Sequence, residues 1–319
     1  MVVHKRSVPY DPVMKPVAVQ SRVVCVGEIL VDFLPDTVGA RLRDVHTYHA
    51  SIGGSPANTA VGLARRGVPT AVVARVGDDE FGGFLRRRLA EEGVDIRGLV
   101  SVPDRRTGLL FLEIGPDGER SCISIRDPGG AAVLCSGDLD EEVIAASDVL
   151  HLSSNAWRSA SGRKAIETAV ACAQRTDTLL CVDANIRVPL WASRGHAKQA
   201  ALEMAAFADI LKVNESEARL MTGAQVPTEA ARRLQAFGPA YVVVTLGEQG
   251  CVAVGPDGLF SVSACSVDCV DTTGAGDAFV AGVLASWLHV PGDWEAAVRA
   301  GNEAGAAAVR HLGATGLPA

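Results

Sequence analysis

Aromatic side chains are scarce in this 319-residue chain, with Phe, Trp and Tyr together at 5%. Large rings therefore cannot dominate the interior. Ala, Val, Leu and Gly must fill it, which favours helices packed closely on a parallel sheet. No apolar run approaches the length of a transmembrane helix, so no membrane partner is expected. The eight cysteines form no C-x-x-C pair and have no histidines at metal spacing. Cys265 and Cys269, the closest pair, read as sheet or loop thiols, and the pattern fits a reducing compartment and hence the cytoplasm. No Gly-Lys dipeptide occurs, which excludes a Walker A phosphate loop. Residues 1–21 carry Pro9, Pro12 and Pro16 among His4, Lys5, Arg6 and Lys15 but no apolar core, so they read as a disordered extension and not a signal peptide. The net charge of −7 argues against a nucleic-acid partner. It leaves room for an anionic nucleotide, because helix ends and a metal ion supply local positive field.

What is present is an ordinary globular balance, 48% apolar and 21% charged, in a chain long enough for one large α/β domain or two small ones. An unbroken apolar run of the buried parallel type occurs at Val23 to Gly27, and similar runs recur at Thr70 to Val76, Val149 to Leu152, Leu179 to Val182, Ile210 to Val213 and Tyr241 to Thr245. Helical patterns fall between most of them: 57–66, 84–92, 163–175, 197–207, 215–222 and 228–237. That alternation predicts a doubly wound α/β sheet flanked by helices. Two stretches break the rhythm. Arg41 to Tyr48 alternates like a half-exposed strand. Residues 107–114 and 120–125 read as a hairpin about Pro116-Asp117-Gly118. A further hairpin spans Gly250 to Cys265, with its turn at Pro256-Asp257-Gly258. Ser161-Gly162-Arg163-Lys164 matches S-x-x-K formally, but it lies at a helix start without companion motifs and reads as an N-cap with a surface lysine.

The most informative stretch is Asp271-Thr272-Thr273-Gly274-Ala275-Gly276-Asp277, which runs straight into the apolar helix begun by Ala278-Phe279-Val280. Backbone N–H groups at a helix start have no intrahelical partner and form an anion site. Asp277 is suited to act as a base. Donors for a phosphate beside a base for a hydroxyl are what phosphoryl transfer to an alcohol needs. The same residues also read as a tight connection with a dipole-matching aspartate. A second glycine loop, Gly53-Gly54-Ser55-Pro56-Ala57-Asn58, opens another helix. Its glycines let backbone approach a ligand closely, and Asn58 can both donate and accept.

Together these two windows resemble the two signature regions of the ribokinase-like sugar kinases, the PfkB family, and the likeness runs from about Val23 to Leu317. It implies a ribokinase-like, mostly parallel doubly wound sheet over residues 22–319. A small β-sheet lid would be inserted at about 36–52 and 106–128, excluding water from the sugar site and pairing subunits into a homodimer. It implies ATP and Mg2+ as cofactors and a small sugar as partner. Asp277 takes the position of the family's base, and Gly274, Ala275 and Gly276 that of its anion hole. Asp32, after the first strand, would take sugar hydroxyls, although it also reads as a loop-capping aspartate, and Gly53, Gly54 and Asn58 would complete the sugar floor.

Asp183-Ala184-Asn185-Ile186-Arg187 resembles the D-x-N-x-R segment of fructokinases and 2-keto-3-deoxygluconate kinases, so Arg187 would reach a phosphate or a substrate carboxylate. Arg126 falls where the ketogluconate kinases keep a lid arginine, although Ser124 and Ile125 replace their tyrosines. Asn214 and Glu217 match the N-x-x-E motif that organises magnesium and its waters, and they also spell a helix capping box. Thr245, Gly247 and Gly250 resemble the loop along the ATP phosphates and ribose. Asn302 matches a position near the adenine. Asp271, Thr273, Ala308 and Gly313 match the monovalent-cation positions of ribokinase, so K+ is a further candidate. The Gly-Gly-Ser-Pro-Ala-Asn form, Asp32 and the ending Gly313-Ala314-Thr315-Gly316-Leu317-Pro318 are fructokinase-like. The expectation is thus an ATP-dependent fructokinase, with 2-keto-3-deoxygluconate kinase as the alternative and ribokinase and nucleoside kinases below it. A non-catalytic sugar and nucleotide sensor on the same fold is a reading from another class, opposed by the intact Asp277 turn. A nicotinamide oxidoreductase is opposed by the missing third glycine of its fingerprint.

Overall fold

The computed structural model describes residues 22–115, 120–125 and 133–315. In chain order its first elements are β1 (Val23–Val26), β2 (Leu30–Pro35), β3 (Tyr48–Gly53), α1 (Ser55–Ala64), β4 (Thr70–Gly77), α2 (Glu80–Glu91), β5 (Asp95–Val102), β6 (Leu109–Ile114), β7 (Arg120–Ile125) and α3 (Glu141–Ala145). There follow β8 (Val149–Ser153), α4 (Ala160–Arg175), β9 (Leu179–Asp183), α5 (Arg194–Ala205), β10 (Ile210–Asn214), α6 (Glu215–Thr222) and α7 (Pro227–Gln235). The chain closes with β11 (Tyr241–Thr245), β12 (Cys251–Gly255), β13 (Gly258–Val262), α8 (Ala275–His289) and α9 (Trp294–Ala308).

Nine strands form one sheet in the order β13-β12-β11-β10-β9-β8-β1-β4-β5. It is parallel from β11 to β5, and β12 and β13 add an antiparallel edge. The central strands are apolar on both faces because helices cover both; every residue of β1 and β8 is buried. From β1 the chain winds outward through β4 and β5, then returns to β8 on β1's other side. Ligands of such sheets gather beyond the strand carboxyl ends at this switch point.

Glycine compensates for the missing aromatics where helices cross. A Cβ on Gly62 of α1 would stand 2.8 Å from the Ala281 Cβ of α8, and one on Gly282 of α8 would stand 2.5 Å from the Ala300 carbonyl of α9. The helices approach to backbone contact, and α8 lies against the sheet with Phe279, Val280 and Val283 buried.

Four more strands pair separately in the order β3-β2-β6-β7. The expected outlying segments supply β3, β6 and β7; residues 116–119 and 126–128 of the second segment, like 1–21, lie outside the described residues. The hairpin of β6 and β7 is as expected, as is that of β12 and β13, where Gly255 pairs Gly258.

Three expectations need correction. Arg41 to Tyr48 is not a strand: Leu42–Asp44 forms a single 3-10 turn, and pairing begins only at Tyr48. Its alternation belongs to an exposed loop held by Glu113, whose Oε2 accepts from the Leu42 backbone N–H at 2.9 Å. Asp32 does not lie in a loop after β1. It is mid-strand in β2, opposite Ser51. Ser161 is not the cap of α4; Ser159 accepts from the Gly162 N–H at 3.0 Å, and Ser161 donates to the Leu134 carbonyl. β5 was missed because it is a half-exposed strand whose Asp95 and Arg97 break the apolar run.

Candidate active site

Two helix starts meet at one carboxylate. Asp277 stands in the first turn of α8, and Ser55 and Asn58 in the first turn of α1. Oδ1 of Asp277 accepts from Ser55 Oγ at 2.6 Å, and Oδ2 accepts from Asn58 Nδ2 at 2.9 Å. Asn58 Oδ1 is buried and has no hydrogen-bond partner among the described residues.

Glycine is required by contact here. Gly54 precedes α1 with φ +97°, and a Cβ on it would stand 2.5 Å from the Glu28 carbonyl. A Cβ on Gly53 would lie 2.4 Å from the Asp32 carboxylate. Asp32, itself 5% exposed, is thereby packed against the backbone of the first glycine loop. Gly274 caps α8 in the left-handed region at φ +76°, where a Cβ would meet Ala314 Cα at 2.5 Å.

Behind Asp277 lies a buried charge cluster at the ends of β9 and β10. Lys212 Nζ donates to both oxygens of Asp183, at 3.2 and 3.0 Å. Glu217 Oε1 accepts from the Ile186 N–H and Oε2 from the Asn214 N–H, each at 2.8 Å, while Asn214 Oδ1 accepts from the Glu217 N–H at 2.9 Å. The capping box is real, and Glu217 also clamps the Asp183–Arg187 segment to α6. Burial pushes the Asp277 carboxyl above its ordinary range, reinforced by Asp183 and opposed by Ser55, Asn58 and Lys212. Burial likewise raises Glu217, with Lys212 the main opposing charge. For Lys212 burial works downward, but Asp183, Glu217 and Asp277 outweigh it and hold the ammonium above the ordinary lysine value.

Asp32, Gly53, Gly54, Asn58 and the turn Gly274–Asp277 thus share one end of the molecule. Asn214 and Thr245 are paired at adjacent strand ends, and Gly247, at φ +60°, opens the short turn closed by Gly250. Arg187 is exposed and acts electrostatically on Glu217, so it stands at the β9–β10 end. Asn302 Nδ2 donates to the Ser263 carbonyl at 2.8 Å, on the loop after β13. Asp271 is fully buried. Its Oδ1 accepts from the Thr273 N–H and hydroxyl and its Oδ2 from the Gly313 N–H, which ties the glycine turn to the loop after α9. Arg126, like the terminal Gly316, Leu317 and Pro318, lies outside the described residues.

Sequence reasoning passed over Ser55, Asp183 and Lys212 as site residues. Ser55 was inside the first glycine window. Lys212 carried a usable signal, since a lysine within the buried run Ile210 to Asn214 must be paired.

A buried carboxylate at a glycine-capped helix start, at the switch point of a parallel sheet, suits phosphoryl transfer to an alcohol, and the comparisons identify the class. The family model "pfkB family carbohydrate kinase" matches residues 20–319. Fructokinase-1 of Oryza sativa subsp. japonica is 36% identical over 299 residues, covering 92% of this chain and 93% of its own length. A fructokinase from Vibrio cholerae, solved with fructose, ADP and calcium, superposes with TM-score 0.82 at 31% identity, covering 93% of this chain and 95% of that one. An Escherichia coli protein described as a ribokinase II, solved with ATP and Mg2+, superposes with TM-score 0.83 at 28% identity, covering 92% and 94%. The chain belongs to the PfkB family of carbohydrate kinases. It is an ATP-dependent sugar kinase of ribokinase-like fold.

Proposed function

We propose that the sugar is fructose and that Asp277 is the base. The observation that carries the reading is the double hydrogen bond from Ser55 and Asn58 to Asp277, which fixes a buried carboxylate in the first turn of α8. A sugar hydroxyl is too weak an acid to ionise unaided. Asp277 takes its proton as the new O–P bond forms. The backbone N–H groups of Gly274, Ala275 and Gly276 receive the charge that spreads over the transferring phosphoryl oxygens. Asp32, held against Gly53, takes sugar hydroxyls. Mg2+, when bound with ATP, would neutralise phosphate charge, and Asn214 and Glu217 are the residues that would hold it. Thr245, Gly247, Gly250 and Asn302 line the nucleotide, and K+ would lie beside Asp271, Thr273, Ala308 and Gly313.

Fructose is favoured over a keto-acid sugar because Arg187, the arginine a substrate carboxylate would call on, lies close enough to Glu217 to act on its charge. The sheet β3-β2-β6-β7 serves as the lid. Its strand β7 presents Ile123 and Ile125, 56% and 55% exposed, as the surface through which two copies pair. Light scattering reads that dimer, and a monomer at working concentration refutes it. All eight cysteines are free thiols, in keeping with a reducing cytoplasm. The substrate is tested by ADP release with ATP and Mg2+ across fructose, ribose, 2-keto-3-deoxygluconate, adenosine and a sugar-free blank. Turnover confined to fructose is the expected result. Turnover confined to the keto acid overturns the assignment.

A further inference from the structure

We propose that Lys212 is the positioning residue of the anion hole: its buried ammonium, held by Asp183, sets the first turn of α8 and adds positive charge beneath the N–H groups that receive the phosphoryl. The inference rests on the kinase reading above and goes beyond the groups that touch substrate.

Three observations converge on Lys212. The first is contact. A Cβ on Gly276 would lie 2.6 Å from Lys212 Nζ and 3.9 Å from Asp183 Oδ2. The first turn of α8 therefore lies against the ammonium, which a Cβ at Gly276 would have to displace from its place beside Asp183. The second is electrostatic conflict. Helix starts carry partial positive charge and favour anions, yet here the one buried lysine or arginine among the described residues stands under one. The conflict is relieved once an anion sits on the turn, as a transferring phosphoryl does.

The third is charge balance. Asp183, Glu217 and Asp277 are 1%, 2% and 8% exposed, and Lys212 is the ammonium placed among them. Without it an incoming phosphate would face three buried carboxylates. Fold stability alone does not account for the pair, since apolar residues of similar volume commonly serve at least as well as a buried ion pair. Asp183 holds the ammonium in place. Its backbone continues into the loop that Glu217 clamps through Ile186, so the pair and the loop form one support.

The test uses Lys212→Met together with Asp183→Asn, which removes both charges at nearly constant volume, and Asp183→Asn alone, which keeps the ammonium. A thermal melt confirms that each variant is folded. Calorimetry with Mg2+ then gives the ratio of ATP to ADP affinity, which reads charge under the γ-phosphoryl whatever the sugar. The double variant is expected to lower that ratio about tenfold, a factor typical of one ionic interaction in a partly desolvated site. It should also lower kcat more than it raises the sugar KM, without moving the acid limb of kcat to higher pH, because Asp183, which raises the Asp277 carboxyl, leaves together with Lys212, which lowers it. Asp183→Asn alone, which keeps the ammonium but loosens its hold, should lower the ratio less than the double variant. A double variant with the wild-type ratio overturns the inference, as does an equal loss in both variants, which would leave no contribution from the ammonium's charge. Wild-type protein that turns over no sugar would sink the substrate assignment instead, while the nucleotide ratio still judges Lys212.

Discussion

Ser55 Oγ lies 2.6 Å from Oδ1 of Asp277, joining two helix starts that are 222 residues apart in sequence. The bond favours the ionised base against burial, which pushes the other way. Ser55→Ala should therefore raise the pKa of Asp277 further and shift the acid limb of kcat upward. A hydrogen bond to a charged group contributes about 1.5–3 kcal/mol, so the shift should be about one to two pH units. A pH–rate profile with the limb unmoved would remove Ser55 from the machinery.

Asp277→Asn separates catalysis from stability. Loss of the base should lower kcat about 10²–10⁴-fold while sugar and ATP still bind. A carboxyl raised by burial carries a cost of ionisation in the fold, so the neutral amide should melt higher than the wild type. Asn58 can turn its unpartnered Oδ1 toward the new amide, so the hydrogen bond is kept with its direction reversed. Unchanged turnover, or a melting temperature well below the wild type, would contradict this account.

Gly274 and Gly247 both have positive φ, but only Gly274 is crowded. A Cβ on it would meet Ala314 Cα at 2.5 Å, whereas one on Gly247 would meet nothing within 4 Å. Gly247→Ala should cost about 1–2 kcal/mol, the left-handed penalty alone. Gly274→Ala adds a backbone collision to the same strain, so it should cost more and also lower kcat by moving the anion hole. Urea unfolding of the two variants compares them directly, and equal losses would show that the Ala314 loop yields freely.

Local chemistry made part of this legible. Asp277 was readable because its small-residue turn, its charge and its apolar helix are consecutive. The capping box of Asn214 and Glu217 was readable for the same reason. Asp32 was misplaced because β2 exists only through β3 and β6, whose pairing partners are remote in sequence. Lys212 drew no reading within its apolar strand, since its partner Asp183 is 29 residues away and meets it only when β9 and β10 lie side by side. Ser55 gave no sign of its role for a comparable reason: the carboxylate it serves arrives with the last helices.

His151 supplies a prediction for pH. It is fully buried mid-strand in β8, beside Cys25 and Cys181 on the neighbouring strands. Burial lowers its pKa from 6.5 to about 4, and the Asp183 carboxylate recovers only part of the loss. Below the ordinary value the unfolded chain gains a proton that the native protein refuses. Stability from this group is thus complete above about pH 6.5 and is lost progressively down to about pH 4, by up to roughly 3 kcal/mol. Glu217 and Asp277 act in the opposite sense, because their raised carboxyls take protons in the folded state as pH falls. The wild-type profile is therefore a sum, and the contribution of His151 is read from the difference between wild type and His151→Leu. The variant should lose less stability than the wild type between about pH 7 and pH 4.5 in urea unfolding. Parallel losses in the two proteins would mean that His151 takes its proton in the native state, with a pKa near the ordinary value.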